Sequence, residues 1–153
     1  MAFLIFLGDQ ATKAALLQYL TWGASVPCIG SFLYLTLVAN RGGAFGMFQA
    51  GGAVLLALSM VAVILLTLFH TRIARKDPWV IFCLGLVTGG ALGNLSDRIR
   101  YGYVVDFLDL RWWPVFNVAD AAITVGVTIM IIRLLFRKEE SRKERDLHVP
   151  DNV

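Results

Sequence analysis

Apolar runs of about membrane-spanning length alternate along this chain with shorter segments rich in polar and aromatic residues. Taking about 20 residues as one bilayer crossing, the clearest run is 50–69, which holds no charge. A further run covers 79–95, and another covers 116–136 with Asp120 and Arg133 inside it. The weakest is 2–20, where Asp9 and Lys13 interrupt the apolar pattern. A secretory signal peptide competes for that stretch, but neither a basic n-region nor a convincing cleavage site is present. It is expected to remain as a helix, so the pattern predicts four spans.

The segments between spans one and two and between spans three and four do not read as plain loops. Residues 32–38 (FLYLTLV) are rich in aromatic and β-favouring side chains and run into Asn40-Arg41-Gly42-Gly43, a turn signal. Residues 103–113 (YVVDFLDLRWW) look extended and are closed by Pro114. The expected fold is a mainly α membrane protein: four transmembrane helices with a small extracytoplasmic β-sheet on the outer membrane surface. Phe32, Tyr34, Phe45, Phe48, Tyr103, Trp112 and Trp113 would suit the headgroup zone.

Composition agrees with that picture. Of 153 residues, 58% are hydrophobic and 16% charged, against about 45–50% and about 25% in soluble domains. The net charge of +3 raises the question of nucleic acid, but nine of the 14 basic residues fall within 72–76 and 133–145. Both clusters flank apolar runs, as positive-inside topology requires, and no basic face or aromatic platform accompanies them. No nucleic-acid partner is expected. The 70–77 loop and the basic tail then lie in the cytoplasm, as do both termini, while 21–49 and 96–115 lie outside. Arg133 is read as snorkelling to the inner interface. One integral-membrane domain, 1–137, precedes a charged cytoplasmic tail, 138–153, expected to be frayed from Glu139 onward.

Ionisable groups within spans cost roughly 2.5–3.5 kcal/mol each on insertion scales and call for reasons. Asp9 and Lys13 stand at i, i+4 with the acid first, the favoured order for a helical pair. They form either an ion pair that neutralises both or a brace for the outer segments. Asn94, Asp97 and Arg98 share a helix face beside Gly85, Gly89 and Gly93, which permit close helix contact. A tight interface capped by polar residues is one reading of that face; a functional site is the other. Asn117 and Asp120 share a face at the outer start of span four, with Asp106 just before. Two aspartates converging at one depth cannot easily both ionise, so one keeps its proton while the other serves as base. An aspartic protease needs that arrangement to activate water and protonate the leaving amide. Asp97 and Asp109 are read as nearby carboxylates outside the pair.

Other chemistries lack their residues. The two histidines, His70 and His148, fall on the cytoplasmic side and no HExxH helix exists, so no metal site is expected. Neither a Gly-x-Ser-x-Gly elbow nor a phosphate-cradling loop is found. Cys28 and Cys83 lie in different environments and are not expected to pair. A small transporter or channel with an intramembrane Asp/Arg path is the alternative function. It predicts polar residues throughout the membrane depth, yet span two offers only Ser59 and Thr67.

Four blocks, Asn40-Arg41-Gly42-Gly43-Ala44-Phe45-Gly46, Gly89-Gly90-Ala91-Leu92-Gly93-Asn94-Leu95-Ser96-Asp97-Arg98, Val104-Val105-Asp106-Phe107 and Phe116-Asn117-Val118-Ala119-Asp120, resemble in order the signature blocks of the lipoprotein signal peptidase (signal peptidase II) family. Asp9-x-x-x-Lys13 adds a fifth match. The resemblance implies an aspartic endopeptidase of the bacterial inner membrane, its site at the extracytoplasmic face. It would cleave prolipoproteins just before a diacylglyceryl-modified cysteine. Asp106 and Asp120 would form the catalytic pair. Asn40, Gly42, Asn94, Arg98 and Asn117 would position the substrate or the pair, and Asp9 and Lys13 would support the site. Membrane lipid and globomycin-type cyclic peptide inhibitors are implied partners, and the resemblance implies no metal or organic cofactor.

Overall fold

The computed structural model describes residues 1–41, 52–73 and 77–147. Four helices and three strands follow the chain as α1 (Ala2–Tyr19), β1 (Ser25–Ile29), β2 (Leu33–Asn40), α2 (Gly52–Ile73), α3 (Pro78–Tyr101), β3 (Val104–Asp109) and α4 (Val118–Leu147). Each expected apolar run lies largely within a helix. Gly42, Phe45, Phe48, the loop residues 74–76 and the tail from His148 lie outside the described residues.

α3 is the central helix and packs against α1, α2 and α4. Asp77 caps its start by accepting the Trp79 N–H at 2.9 Å, with Pro78 in the first turn, where its missing N–H is harmless. Arg133 comes from α4 to meet Asp77 at 3.2 Å and stands over the Trp79 ring. Cys83, Leu84, Leu86 and Val87 are buried in the middle of α3. Toward its other end, small residues bring neighbouring helices close. A Cβ on Gly93 would stand 2.5 Å from the Asp9 carboxylate, and one on Gly90 would run into the Ala119 carbonyl.

Polarity is distributed inside out. Asp9, Lys13, Asn94, Asp97, Asp106 and Asn117 are buried, whereas Phe3, Leu4, Leu58, Leu65, Ile131 and Phe136 project outward. Apolar surface of that extent marks a lipid or partner contact rather than a water-facing exterior. By length and composition, α3 is the helix among the described residues that suffices to cross a bilayer; Leu56–Leu66 of α2 is a shorter apolar run.

The sheet is antiparallel in the order β1-β2-β3. It joins the segment before α2 to the segment before α4. Val38 pairs with Asp106 and Asn40 with Val104, after a register shift between Leu35 and Val38. β1 was not anticipated: Pro27 within it argues against a strand, but at the sheet edge a missing N–H breaks no ladder. The extended stretch expected over 103–113 stops at Asp109. There the Asp109 carboxylate accepts the Arg111 N–H at 2.8 Å and Arg111 turns left-handed at φ 69°. α4 runs past Glu139 to Leu147. That segment is rich in Glu, Lys and Arg, all good helix formers.

Candidate functional site

The site is assembled where β2, β3, α3 and the start of α4 meet. The sheet register turns Asn40 and Asp106 to one face, and the Asn40 amide donates to Asp106 at 2.7 Å. Asn117 caps α4: its side-chain oxygen accepts the Asp120 N–H at 2.9 Å. Its amide donates to the other Asp106 oxygen at 2.6 Å and to Asn94 at 3.0 Å. Asn94 in turn donates to Asp120 at 2.7 Å. Three asparagine amides thus hold the two aspartates, and among the described residues neither aspartate makes an ion pair.

Burial first, and then the negative charge of Asp120, push the Asp106 carboxyl up to about 7. Hydrogen bonds from Asn40 and Asn117 and the Lys13 charge oppose this. A carboxyl of that pKa keeps its proton through mildly acidic pH while still able to give it up.

Behind the aspartates lies a buried charge cluster. The Lys13 ammonium is 2.8 Å from both Asp9 and Asp97 and 3.4 Å from the Asn94 oxygen, so its three protons face three acceptors. Asp9 and Lys13 pair within α1, as the first reading has it, and Lys13 also reaches Asp97 on α3. Asp97, read from the sequence as outside the pair, is buried and accepts the Val105 N–H at 3.0 Å. Gln10, also not anticipated, donates to Asp97 at 2.9 Å. The shared face of Asn94 and Asp97 was the available signal; a lysine 84 positions earlier could not be seen from spacing. Asp109 is buried elsewhere, held by Thr36 and Arg111.

Two cavities meet at Asp120 and Thr124. The polar one, about 220 Å³, lies among Asn40, Asn94, Arg98, Val104 and Pro114. The apolar one, about 400 Å³, lies beside Leu110, Trp112 and Val125. Trp113 and Phe116 line both. Arg98 is half-buried at the polar cavity, 3.4 Å from the Asn94 carbonyl. Of the expected site residues, Asp9, Lys13, Asn40, Asn94, Arg98, Asp106, Asn117 and Asp120 come together, while Gly42 lies outside the described residues. Among the described residues, no three His, Cys, Asp or Glu side chains gather to hold a metal ion.

The fold is that of a membrane enzyme. A bacterial membrane enzyme solved by the in meso method at 2.3 Å resolution matches with a TM-score of 0.83 and 30% identity, over 99% of this chain and 91% of that one. A second, solved at 1.9 Å resolution, matches with a TM-score of 0.81 and 33% identity, over 88% and 89%. The family model for Signal peptidase (SPase) II matches residues 1–136. The lipoprotein signal peptidase of Pelotomaculum thermopropionicum is 41% identical over 140 residues, 92% of each chain. That of Moorella thermoacetica is 42% identical over 144 residues, 94% of this chain and 96% of its own. The chain belongs to the signal peptidase II family and is a membrane-embedded protease. These relatives lend no support to a transporter or channel.

Proposed function

We propose that this chain is an aspartic endopeptidase that removes signal peptides from prolipoproteins, with Asp106 and Asp120 as its catalytic pair. The observation that carries the reading is the pair itself: two carboxylates from different elements, held by asparagine amides at the edge of a cleft. Two carboxylates this close share one proton; with that proton on Asp106, Asp120 enters the reaction as the base. Asp120 takes a proton from water as the water attacks the scissile carbonyl. Asp106 gives its proton to the departing amide nitrogen, and the pair returns to its starting state by exchanging one proton with solvent.

Arg98 and Gly42 orient the substrate backbone with Asn40, whose amide also joins those of Asn94 and Asn117 in holding the two carboxylates. The substrate is a prolipoprotein whose cysteine carries diacylglycerol, and cleavage falls just before that cysteine. The apolar cavity beside Asp120 suits an acyl chain, and the polar cavity under Arg98 suits a peptide backbone. Membrane lipid borders the site, and globomycin-type cyclic peptides compete for it. The four helices cross the bacterial inner membrane with both termini in the cytoplasm. The sheet lies at the outer face, where the basic clusters at 72–76 and 133–145 orient it.

Purified protein in detergent is expected to cleave a synthetic diacylglyceryl-modified precursor peptide at one bond and to leave the unmodified peptide intact. A globomycin-type peptide is expected to block that cleavage. Equal cleavage of both peptides would contradict the substrate reading. Reporters fused after Lys76 or Arg145 are expected in the cytoplasm and one inserted near Gly30 outside. The opposite result would put the site on the wrong face.

A further inference from the structure

The backbone N–H immediately before each proposed catalytic aspartate is held by a buried carboxylate. Ala119, preceding Asp120, donates to Asp9 at 3.0 Å. Val105, preceding Asp106, donates to Asp97 at 3.0 Å. Asp9 and Asp97 are 0% and 1% exposed and belong to different helices, α1 and α3. What joins them is Lys13, 2.8 Å from each. Lys13 also reaches the Asn94 oxygen at 3.4 Å, and the Asn94 amide holds Asp120. Gln10 reinforces the Asp97 side at 2.9 Å and is itself met by Arg100 at 3.2 Å.

From this geometry we infer that Asp97 is a positioning residue for the peptidase reaction. With Lys13 and Asp9, which the family resemblance already gives to support of the site, it completes a cross-brace that fixes the separation of the two proposed catalytic carboxylates. The inference rests on the aspartic reading above. Asp106 rides on a strand and Asp120 on the first turn of a helix, so the spacing between them depends on how those elements are tied. The brace ties them through the peptide units directly before the reacting residues, where little slack remains. Stability alone is a poor reason for such a cluster, since buried ion pairs are often replaced by apolar groups at no loss. Geometry is a better one: a misplacement of about 1 Å at a reacting centre can cost on the order of a hundredfold in rate.

The test compares Asp97→Asn, Gln10→Ala and Asp106→Asn in detergent, using a synthetic diacylglyceryl-modified precursor peptide. Asp97→Asn is expected to lower kcat at least tenfold with KM within about twofold. It should also move the high-pH limb of kcat/KM to lower pH, because the Lys13 charge is then less neutralised and acts more strongly on Asp106. Gln10→Ala trims support from the same carboxylate without unpairing a buried charge, and is expected to lower kcat two- to fivefold at unchanged Tm. Asp97→Asn that folds with normal kcat and an unmoved limb, beside an inactive Asp106→Asn, would overturn the brace alone. If Asp97→Asn does not accumulate, a wild-type kcat and pH limb in Gln10→Ala would overturn it. An active Asp106→Asn would instead sink the aspartic reading on which the brace depends.

Discussion

Asn117 lies 2.6 Å from Asp106 through its amide while its own oxygen caps the helix that carries Asp120. One side chain therefore registers a strand carboxylate against a helix carboxylate. Asn117→Ser separates the two duties, because serine can still cap α4 but cannot reach Asp106. That cap, worth about 1 kcal/mol, is kept, so the Tm is expected to fall by only a few degrees while kcat falls at least tenfold. Loss of the Asn117 hydrogen bond also removes a contact that favours ionised Asp106, so the high-pH limb is expected to move to higher pH. Unchanged kcat in a folded Asn117→Ser protein would separate Asn117 from the reaction.

Asp106 titrates near 7 in the folded protein, against an ordinary value of 3.8. Between those two pH values the folded state binds more protons than the unfolded one. The stability this proton confers is fully present below about 3.8 and is lost as pH rises through about 7. Activity follows the same group: above about pH 7 the pair lacks its acid, and kcat/KM is expected to fall tenfold per pH unit. Thermal denaturation followed from pH 4 to 8 is expected to show a Tm contribution that declines with pH in the wild type. Asp106→Asn should flatten that contribution. A wild-type slope in the variant would assign the titration to another group.

Gly93 tests the packing behind the site. A methyl group there would stand 2.5 Å from the Asp9 carboxylate, which holds the Ala119 N–H. Gly93→Ala is expected to lower both Tm and turnover by pushing Asp9 off that bond. Gly8, in the same helix as Asp9, has no atom within 4 Å of an added Cβ. Gly8→Ala is expected to be neutral or to stabilise by about 0.5–1 kcal/mol through helix propensity. Equal behaviour of the two variants in thermal denaturation and cleavage assays would count against the close contact.

The helices were legible because long apolar runs broken by polar segments leave few alternatives, and β2 and β3 because aromatic and β-branched residues fill them. β1 was not, since Ser25–Ile29 lacks a clean alternation and holds Pro27. The candidate site was legible wherever its members sit three or four residues apart on one helix, as Asn117 with Asp120 and Asn94 with Arg98. It was opaque where partners come from distant segments. The role of Asp97 depends on Lys13 and on the Val105 N–H, and no local pattern announces either. The cleft walls Trp113, Phe116 and Thr124 escaped for a similar reason. On sequence alone they read as interfacial or spanning residues, and only the turn after β3 brings them beside Asp120.

The proposed catalytic pair gives the sharpest prediction. Asn is nearly isosteric with Asp but cannot give or take the proton, so Asp106→Asn and Asp120→Asn are each expected to fold, insert and lose activity by orders of magnitude. The double variant should be scarcely slower than either single one, because residues acting as a unit do not contribute additively. The structure also decides the control. Asp97 is unsuitable, since it pairs with Lys13 at 2.8 Å and holds the strand that bears Asp106. Asp109 is suitable, because its partners are Thr36 and Arg111 and it lines neither cavity. Asp109→Asn is expected to keep most of its turnover, with at most a modest loss of Tm from the weakened turn. Cleavage of a diacylglyceryl-modified precursor peptide by each purified variant checks the whole set. Substantial turnover by Asp106→Asn or Asp120→Asn would end the aspartic mechanism, and an inactive but folded Asp109→Asn would widen the site beyond the pair described.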